Sequence, residues 1–173
     1  IDKPSITGEL LLLADLLGDI DKPSITGELL LLADLLGVTF IIGEIFDDFE
    51  FSLIKKSEFI EVSGWIEDIR TAYLESKIFI APMRMGTGLQ NKLLEALAME
   101  KACITTPLAN NALKAPKSTI LVGETSEELA EHCIHLLENE SVRNRCAKEG
   151  RKFVEKTYKW TETTERLNKL FLS

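Results

Sequence analysis

A rhythm of short apolar runs, each stopped by a turn residue and followed by helix-like sequence, limits this chain most. "VTFIIG" (38–43), "FIEVSG" (59–64), "IFIAP" (78–82), "ACITT" (102–106, stopped by Pro107) and "TILVG" (119–123) are rich in β-branched and apolar residues. Buried strands read this way. "EDIRTAYLESK" reads as a short amphipathic helix, and another covers about 91–100. Thr125 with Glu128 makes a capping box for a helix through about Glu138. Ser141 can cap one through about Lys156, and a last helix runs from about Thr161 to Leu172. Apolar strands alternating with helices predict a parallel sheet covered on both faces. The fold class is therefore α/β: a Rossmann-like parallel sheet with helices on both faces, closed by two or three helices as a lid or buttress. "FDDFEFSLIKKS" stays ambiguous, and Lys55-Lys56 within it reads as a solvated turn. A chain of 173 residues, 45% hydrophobic and 28% charged, suits one such domain, 1–173.

One feature breaks the rhythm. "IDKPSITGELLLLADLLG" fills residues 1–18 and returns unchanged at 20–37. Solenoids use three or more diverged copies, so an identical pair reads instead as a recent duplication, an engineered insertion or an error of assignment. The second copy has the marks of a helix. Asp21 or Ser24 can cap it, Pro23 suits its first turn, leucines fill a broad face and Gly37 can end it.

A net charge of −8 argues against broad nucleic-acid binding, which needs a basic footprint. It leaves room for a small anion held by a local cluster of donors. Cys103, Cys133 and Cys146 are odd in number and widely spaced, which reads as reduced structural thiols and a cytoplasmic compartment. The leucine runs are broken by acids and are too short for a transmembrane segment. The N-terminus lacks the pattern of a signal peptide. "HCIH" (132–135) puts two histidines and a cysteine on one helix, but a zinc site needs further ligands at suitable spacing. Tyr158 and Trp160 read as packing anchors for the last helix, with a lining role in a cleft as the alternative.

In sheets of this kind ligands bind outside the carboxyl ends of the strands, where strand order reverses. Three loops there carry unusual chemistry: "GW" at 64–65, "MRMGTGLQNK" at 83–92 and "TPLANN" at 106–111. The middle one is strongest. Gly86 and Gly88 let the backbone turn tightly and approach a ligand. A helix starting near Asn91 aims free N–H groups and its positive dipole end at the same place, and Arg84 and Lys92 add cations. Together these favour a phosphate or diphosphate, although the loop fits neither the P-loop nor the dinucleotide pattern. Glu95 shares a helix face with Asn91 and Lys92 by spacing. Phosphates would repel its carboxylate, so it is better suited to neutral hydroxyls such as a ribose diol. The bland reading is that the glycines only turn the chain and that Lys92 and Glu95 form a surface pair worth a few tenths of a kcal/mol.

"GTGLQNKLLEALAMEKACITTPLANNAL" resembles the donor-binding half of GT-B glycosyltransferases, in the large retaining group called glycosyltransferase family 4 or group 1. "IEVSGWIEDIRTAYLESKIFIAPMRMG" before it and "ILVGETSEELAEHCIHLLEN" and "GRKFVEKTYKWTETTERLNKL" after it extend the resemblance over about residues 38–173. It implies transfer of a sugar from a UDP-, GDP- or ADP-sugar to an acceptor, in polysaccharide or glycan biosynthesis. It implies no metal and no further cofactor. Glu95 falls on the second acid of the family's Glu-x7-Glu motif, which holds the ribose. Thr87 stands at the first, where an acid contacts the donor sugar, and that departure leaves the sugar undefined.

The resemblance puts Gly88, Leu89, Gln90, Asn91 and Lys92 at the diphosphate, with Gly86 and Thr87 beside it. It puts Gly64 and Trp65 behind the nucleobase and Lys22 after the first strand. Arg84 and Lys92 become the candidates for stabilising the leaving diphosphate. The N-terminal acceptor domain is absent, so this chain alone is expected to be inactive, and peripheral membrane contact through the missing half is left open. A GT-B nucleotide-sugar epimerase, a nucleotide-binding module and an inactive fragment are the alternatives.

The resemblance also sharpens the repeat. Its fold needs a central strand ahead of the loop at Gly18, and only "LLLLADLL" of the first copy stands there. Residues 10–17 are therefore expected to pair as a strand while residues 29–36, identical in sequence, form a helix; the rival is that the first copy is an extra helix and the sheet lacks its central strand. Leucine tolerates both, and tertiary context overrides propensity.

Overall fold

Ile78–Ala81 is buried at every position, which requires cover on both faces of the strand. In the computed structural model, which describes residues 10–13, 39–42, 60–62, 67–83 and 88–171, this run is β4 of a six-stranded sheet. Its partners are β1 (Leu10–Leu13), β2 (Thr39–Ile42), β3 (Ile60–Val62), β5 (Ala102–Thr105) and β6 (Ile120–Val122). Every neighbouring pair is parallel, in the order β3-β2-β1-β4-β5-β6. Strand order turns back between β1 and β4, which makes the carboxyl ends of those two strands the switch point.

The repeat acquires a physical meaning here. Leu10–Leu13 of the first copy is the central strand, with Leu11 set beside Phe40 on one side and Ile78 on the other. Residues 29–36 of the second copy lie outside the described residues, as do the capping candidates Asp21, Pro23 and Ser24 and the "FDDFEFSLIKKS" segment.

Six helices follow among the described residues: α1 (Ile69–Glu75), α2 (Asn91–Ala98), α3 (Pro107–Leu113), α4 (Ser126–Glu138), α5 (Glu140–Thr157) and α6 (Trp160–Phe171). Asp68 opens α1 by accepting the Arg70 amide at 3.0 Å. The Lys101 ammonium closes it, donating to the Ser76 carbonyl at 2.9 Å and the Leu74 carbonyl at 3.4 Å, where a cation also suits the helix dipole. α2 ends in a Schellman motif, with the Lys101 amide on the Ala96 carbonyl and the Glu100 amide on the Leu97 carbonyl. Glu100 occupies the left-handed position there, at φ 54°.

Three sequence expectations change. Pro107 ends β5 but also opens α3, because its fixed φ and missing N–H suit the first helical position. "TPLANN" is thus mostly helix, and the Asn110 side chain closes that helix by bonding both the amide (3.1 Å) and the carbonyl (3.3 Å) of Ala115. The N-cap of α5 is Asn139 rather than Ser141. Asn139 ends α4 with two bonds to the His135 carbonyl, so α5 begins at once and Ser141 already lies inside it. The capping box of α4 holds at Thr125, which accepts the Glu128 amide at 3.3 Å, while the Glu128 carboxylate reaches one residue further back, to the Glu124 amide at 2.7 Å.

The core joins the sheet to α2 and α5. Phe79, Leu93, Ala96, Leu97 and Cys103 are buried in one cluster, with Phe153, Val154 and Tyr158 packed against it. The buried face of α5 is Cys146, Ala147 and Gly150, all small. A Cβ added at Gly150 would lie 2.6 Å from Leu97 Cδ2, so α5 seats on α2 through the absence of that carbon. All three cysteines are free and buried, and burial pushes the Cys103 and Cys133 thiols up. His132 bonds the Val122 carbonyl at 3.1 Å, tying α4 to β6. Among the described residues no helix is long and apolar enough to cross a membrane.

Candidate functional site

The loop from β4 to α2 leaves the sheet at the switch point, and its root is stapled to β5. The Thr105 hydroxyl donates to the Ala81 carbonyl at 2.8 Å, and the Thr106 hydroxyl donates to the Met83 carbonyl. Arg84, Gly86 and Thr87 lie outside the described residues. Gly88, at φ 81°, is the next described position. A Cβ there would meet nothing within 4 Å, so the backbone conformation demands glycine, and the space in front of it is open.

Gln90 is the N-cap of α2, yet its side chain makes no cap bond. It turns back instead to the Gly88 carbonyl at 3.4 Å. The first turn of α2 carries no acid. α1 and α4 are capped by Asp68 and Thr125, whereas the N-cap residues of α2, α3 and α5 make no side-chain cap bond. Of these three helices, α2 is the one that follows β4 at the switch point. First-turn amides in such a place suit an anion.

Beside this start lies a cleft of about 580 Å³ lined by Leu89, Asn91, Leu94, Glu95, Ala98, Val154 and Tyr158. Asn91, Leu94, Glu95 and Ala98 fall at i, i+3, i+4 and i+7, one stripe of α2. Asn91 and Glu95 therefore share the cleft. Lys92, three residues before Glu95, neighbours it on the helix surface but is not among the residues that line the cleft. The ring of Tyr158 meets Phe153 edge-on at 5.9 Å between centroids, and its hydroxyl donates to the Leu113 carbonyl at 3.0 Å. Tyr158 is thus both a packing anchor and part of the wall. The side chain of Trp160 lies outside the described residues.

Glu95 is exposed to the cleft but not isolated. Tyr73, on α1, is 3% exposed, and its hydroxyl stands 3.5 Å from Glu95 Oε2 and 3.3 Å from the Lys92 carbonyl. Burial first, and then the charge of Glu95, push the Tyr73 phenol up, so it keeps its proton and acts as a donor. Sequence reasoning missed Tyr73, Thr105 and Thr106. A signal for Tyr73 existed: a tyrosine on the buried side of an amphipathic helix must find a partner for its hydroxyl. Gly64, Trp65 and Lys22 lie outside the described residues. The "GW" pair follows β3, an edge strand two places from β1, roughly 10 Å across the sheet at strand spacing.

The geometry defines a parallel α/β domain with an anion-suited helix start and a carboxylate in one cleft at the switch point. A sequence model of the family described as glycosyl transferases group 1 matches residues 38–139. The chain belongs to that family. An uncharacterized glycosyltransferase from Methanocaldococcus jannaschii is 27% identical over 99 residues, covering 56% of this chain and 25% of that one.

A crystal structure of a mutant of S. aureus TarM, in complex with fondaparinux, alpha-GlcNAc-glycerol and UDP, superposes with a TM-score of 0.82 at 12% identity. It covers 95% of this chain and 36% of the other. The C-terminal domain of a group 1 glycosyl transferase from Francisella tularensis gives a TM-score of 0.69 at 20% identity, covering 89% of this chain and 87% of that one. The fold is that of GT-B glycosyltransferases, and the chain spans only about a quarter to a third of the first two relatives' length.

Proposed function

We propose that this chain is the donor-binding half of a glycosyltransferase, holding a nucleoside diphosphate sugar across the carboxyl ends of β1 and β4. The observation that carries the reading is the shared cleft of Asn91 and Glu95 beside the uncapped start of α2. In this reading the diphosphate meets the amides of residues 88–92, with Arg84 and Lys92 as cations. Glu95 accepts hydrogen bonds from the ribose, and the Gly64-Trp65 loop backs the base. Charge develops on the diphosphate as the glycosidic bond breaks, and donors already aimed at it stabilise that charge without reorganising. Gly86 and Thr87 flank the sugar. Transfer to an acceptor, as in glycan assembly, requires an acceptor-binding half, and this chain alone is expected to bind donor without transferring it.

Calorimetry with UDP, GDP and ADP tests the reading. One of the three is expected to bind at micromolar Kd and to weaken at least tenfold in Glu95→Ala, the loss of a hydrogen-bonded charged group. Binding of none, or indifference to Glu95→Ala, would refute it. The same titration in EDTA is expected to be unchanged; a collapse there would contradict the metal-free reading.

A further inference from the structure

We infer that Tyr73 is a positioning residue for Glu95, setting the direction of the carboxylate in the cleft without touching the ligand itself. The inference rests on the donor-binding reading of Glu95. Tyr73 is 22 residues away in sequence, and its ring is fixed from below by Phe79, centroids 5.6 Å apart at an interplanar angle of 50°. The backbone beneath is fixed as well: the Ser76 hydroxyl bonds the Tyr73 carbonyl at 3.0 Å, and Lys101 holds the end of the same helix.

The hydroxyl therefore emerges from a rigid, buried ring between two acceptors, the Lys92 carbonyl at 3.3 Å and Glu95 Oε2 at 3.5 Å. It has one proton to give. The carbonyl belongs to the first turn of α2, where the helix supplies a partner four residues on, and an ionised carboxylate is the stronger acceptor. Both separations are longer than an ideal O–H···O bond. Burial keeps the phenol protonated, so it remains a donor.

Anchored through Oε2, Glu95 has its other oxygen free to meet a hydroxyl in the cleft. An unanchored glutamate on an exposed helix face would sample several rotamers and lose that direction.

The test compares whichever of UDP, GDP and ADP binds with its 2′,3′-dideoxy counterpart, by calorimetry on the full chain. The ratio of the two affinities reports the ribose contact alone. Tyr73→Phe keeps the ring and its packing, and is expected to reduce the ratio about threefold to tenfold, the worth of one hydrogen bond. In the Glu95→Ala background the same substitution is expected to change nothing, because its only route to the ribose is gone. Tyr73→Phe weakening both nucleotides equally would make its role merely structural and overturn the inference. So would an unchanged ratio in Tyr73→Phe when Glu95→Ala abolishes the preference. A preference that survives Glu95→Ala, or no binding of either nucleotide, would instead sink the reading of Glu95 and the inference with it.

Discussion

Replacing Gly150 by alanine sets two effects of opposite sign against each other, and the structure says which wins. Alanine in the interior of α5 gains about 1 kcal/mol of helix propensity over glycine. The new methyl would lie 2.6 Å from Leu97 Cδ2, whereas carbon atoms prefer about 3.5–4.0 Å. Leu97 has no exposed surface, so relief requires moving packed atoms. Overpacking of this kind costs about 1–3 kcal/mol. The expected net effect is a destabilisation of about 1 kcal/mol, set by subtracting the propensity gain from the overpacking cost. Leu97→Ala alone leaves a cavity and is expected to cost about 2–5 kcal/mol. In that background the Gly150→Ala methyl has room, and the same substitution should become stabilising by about 1 kcal/mol. Urea denaturation of the four proteins, at unchanged m, gives the coupling, expected at about 1–3 kcal/mol. If Gly150→Ala stabilised the parent chain by the full propensity gain and added simply with Leu97→Ala, the close seating of α5 on α2 would be wrong. The seating matters because α2 carries Asn91 and Glu95.

Three further outcomes follow. Gly88→Ala imposes a side chain on a backbone at φ 81°, a strain of about 1–2 kcal/mol, so the urea midpoint should fall accordingly and nucleotide affinity should drop several-fold; unchanged affinity in calorimetry would remove the loop from the binding site. Glu100→Gly relieves a left-handed strain of about 1–2 kcal/mol against a glycine entropy cost of about 0.5–1 kcal/mol. A net gain of up to about 1.5 kcal/mol is therefore expected, and a clear loss in the melt would contradict the Schellman assignment. The third concerns pH. Burial raises the Cys103 and Cys133 thiols above their ordinary value of 9.0, so the folded state holds these protons longer than the unfolded chain. Their contribution to stability is complete below 9.0 and is lost as pH rises above it, by up to about 1.4 kcal/mol per unit for each thiol. Urea midpoints read between pH 8 and about 10.5, with Cys133→Ala flattening the decline, check this; a flat profile in the parent chain would refute it.

How much of this was legible beforehand depends on the range of the interaction. Strands β4 and β5 were legible because a strand buried along its length is apolar, and β2, β3 and β6 because short runs rich in β-branched and apolar residues stop at a glycine. α4 was legible because its cap is written in Thr125 and Glu128. The central strand was legible only through the demands of the whole sheet, since "LLLL" at 10–13 is repeated unchanged at 29–32 and local propensity cannot separate two identical strings. Pro107 misled because the same ring that ends a strand also suits the first position of a helix. Ser141 misled because Asn139, two residues earlier, serves two helices at once. At the site, Asn91 and Glu95 were legible from helical spacing beside a glycine loop. Tyr73, Thr105 and Thr106 reach partners 22 to 24 residues away, and no local pattern encodes such contacts.

The central claim is that a nucleoside diphosphate lies on the start of α2 with its ribose toward Glu95. Backbone amide NMR during titration with UDP, GDP and ADP tests it most directly. For the nucleotide that binds, the largest shifts are expected at Gly88, Leu89, Gln90, Asn91 and Lys92, with a response at the Trp65 indole. Shifts confined to α6 or to the far edge of the sheet at β6, or none with any of the three, would contradict it.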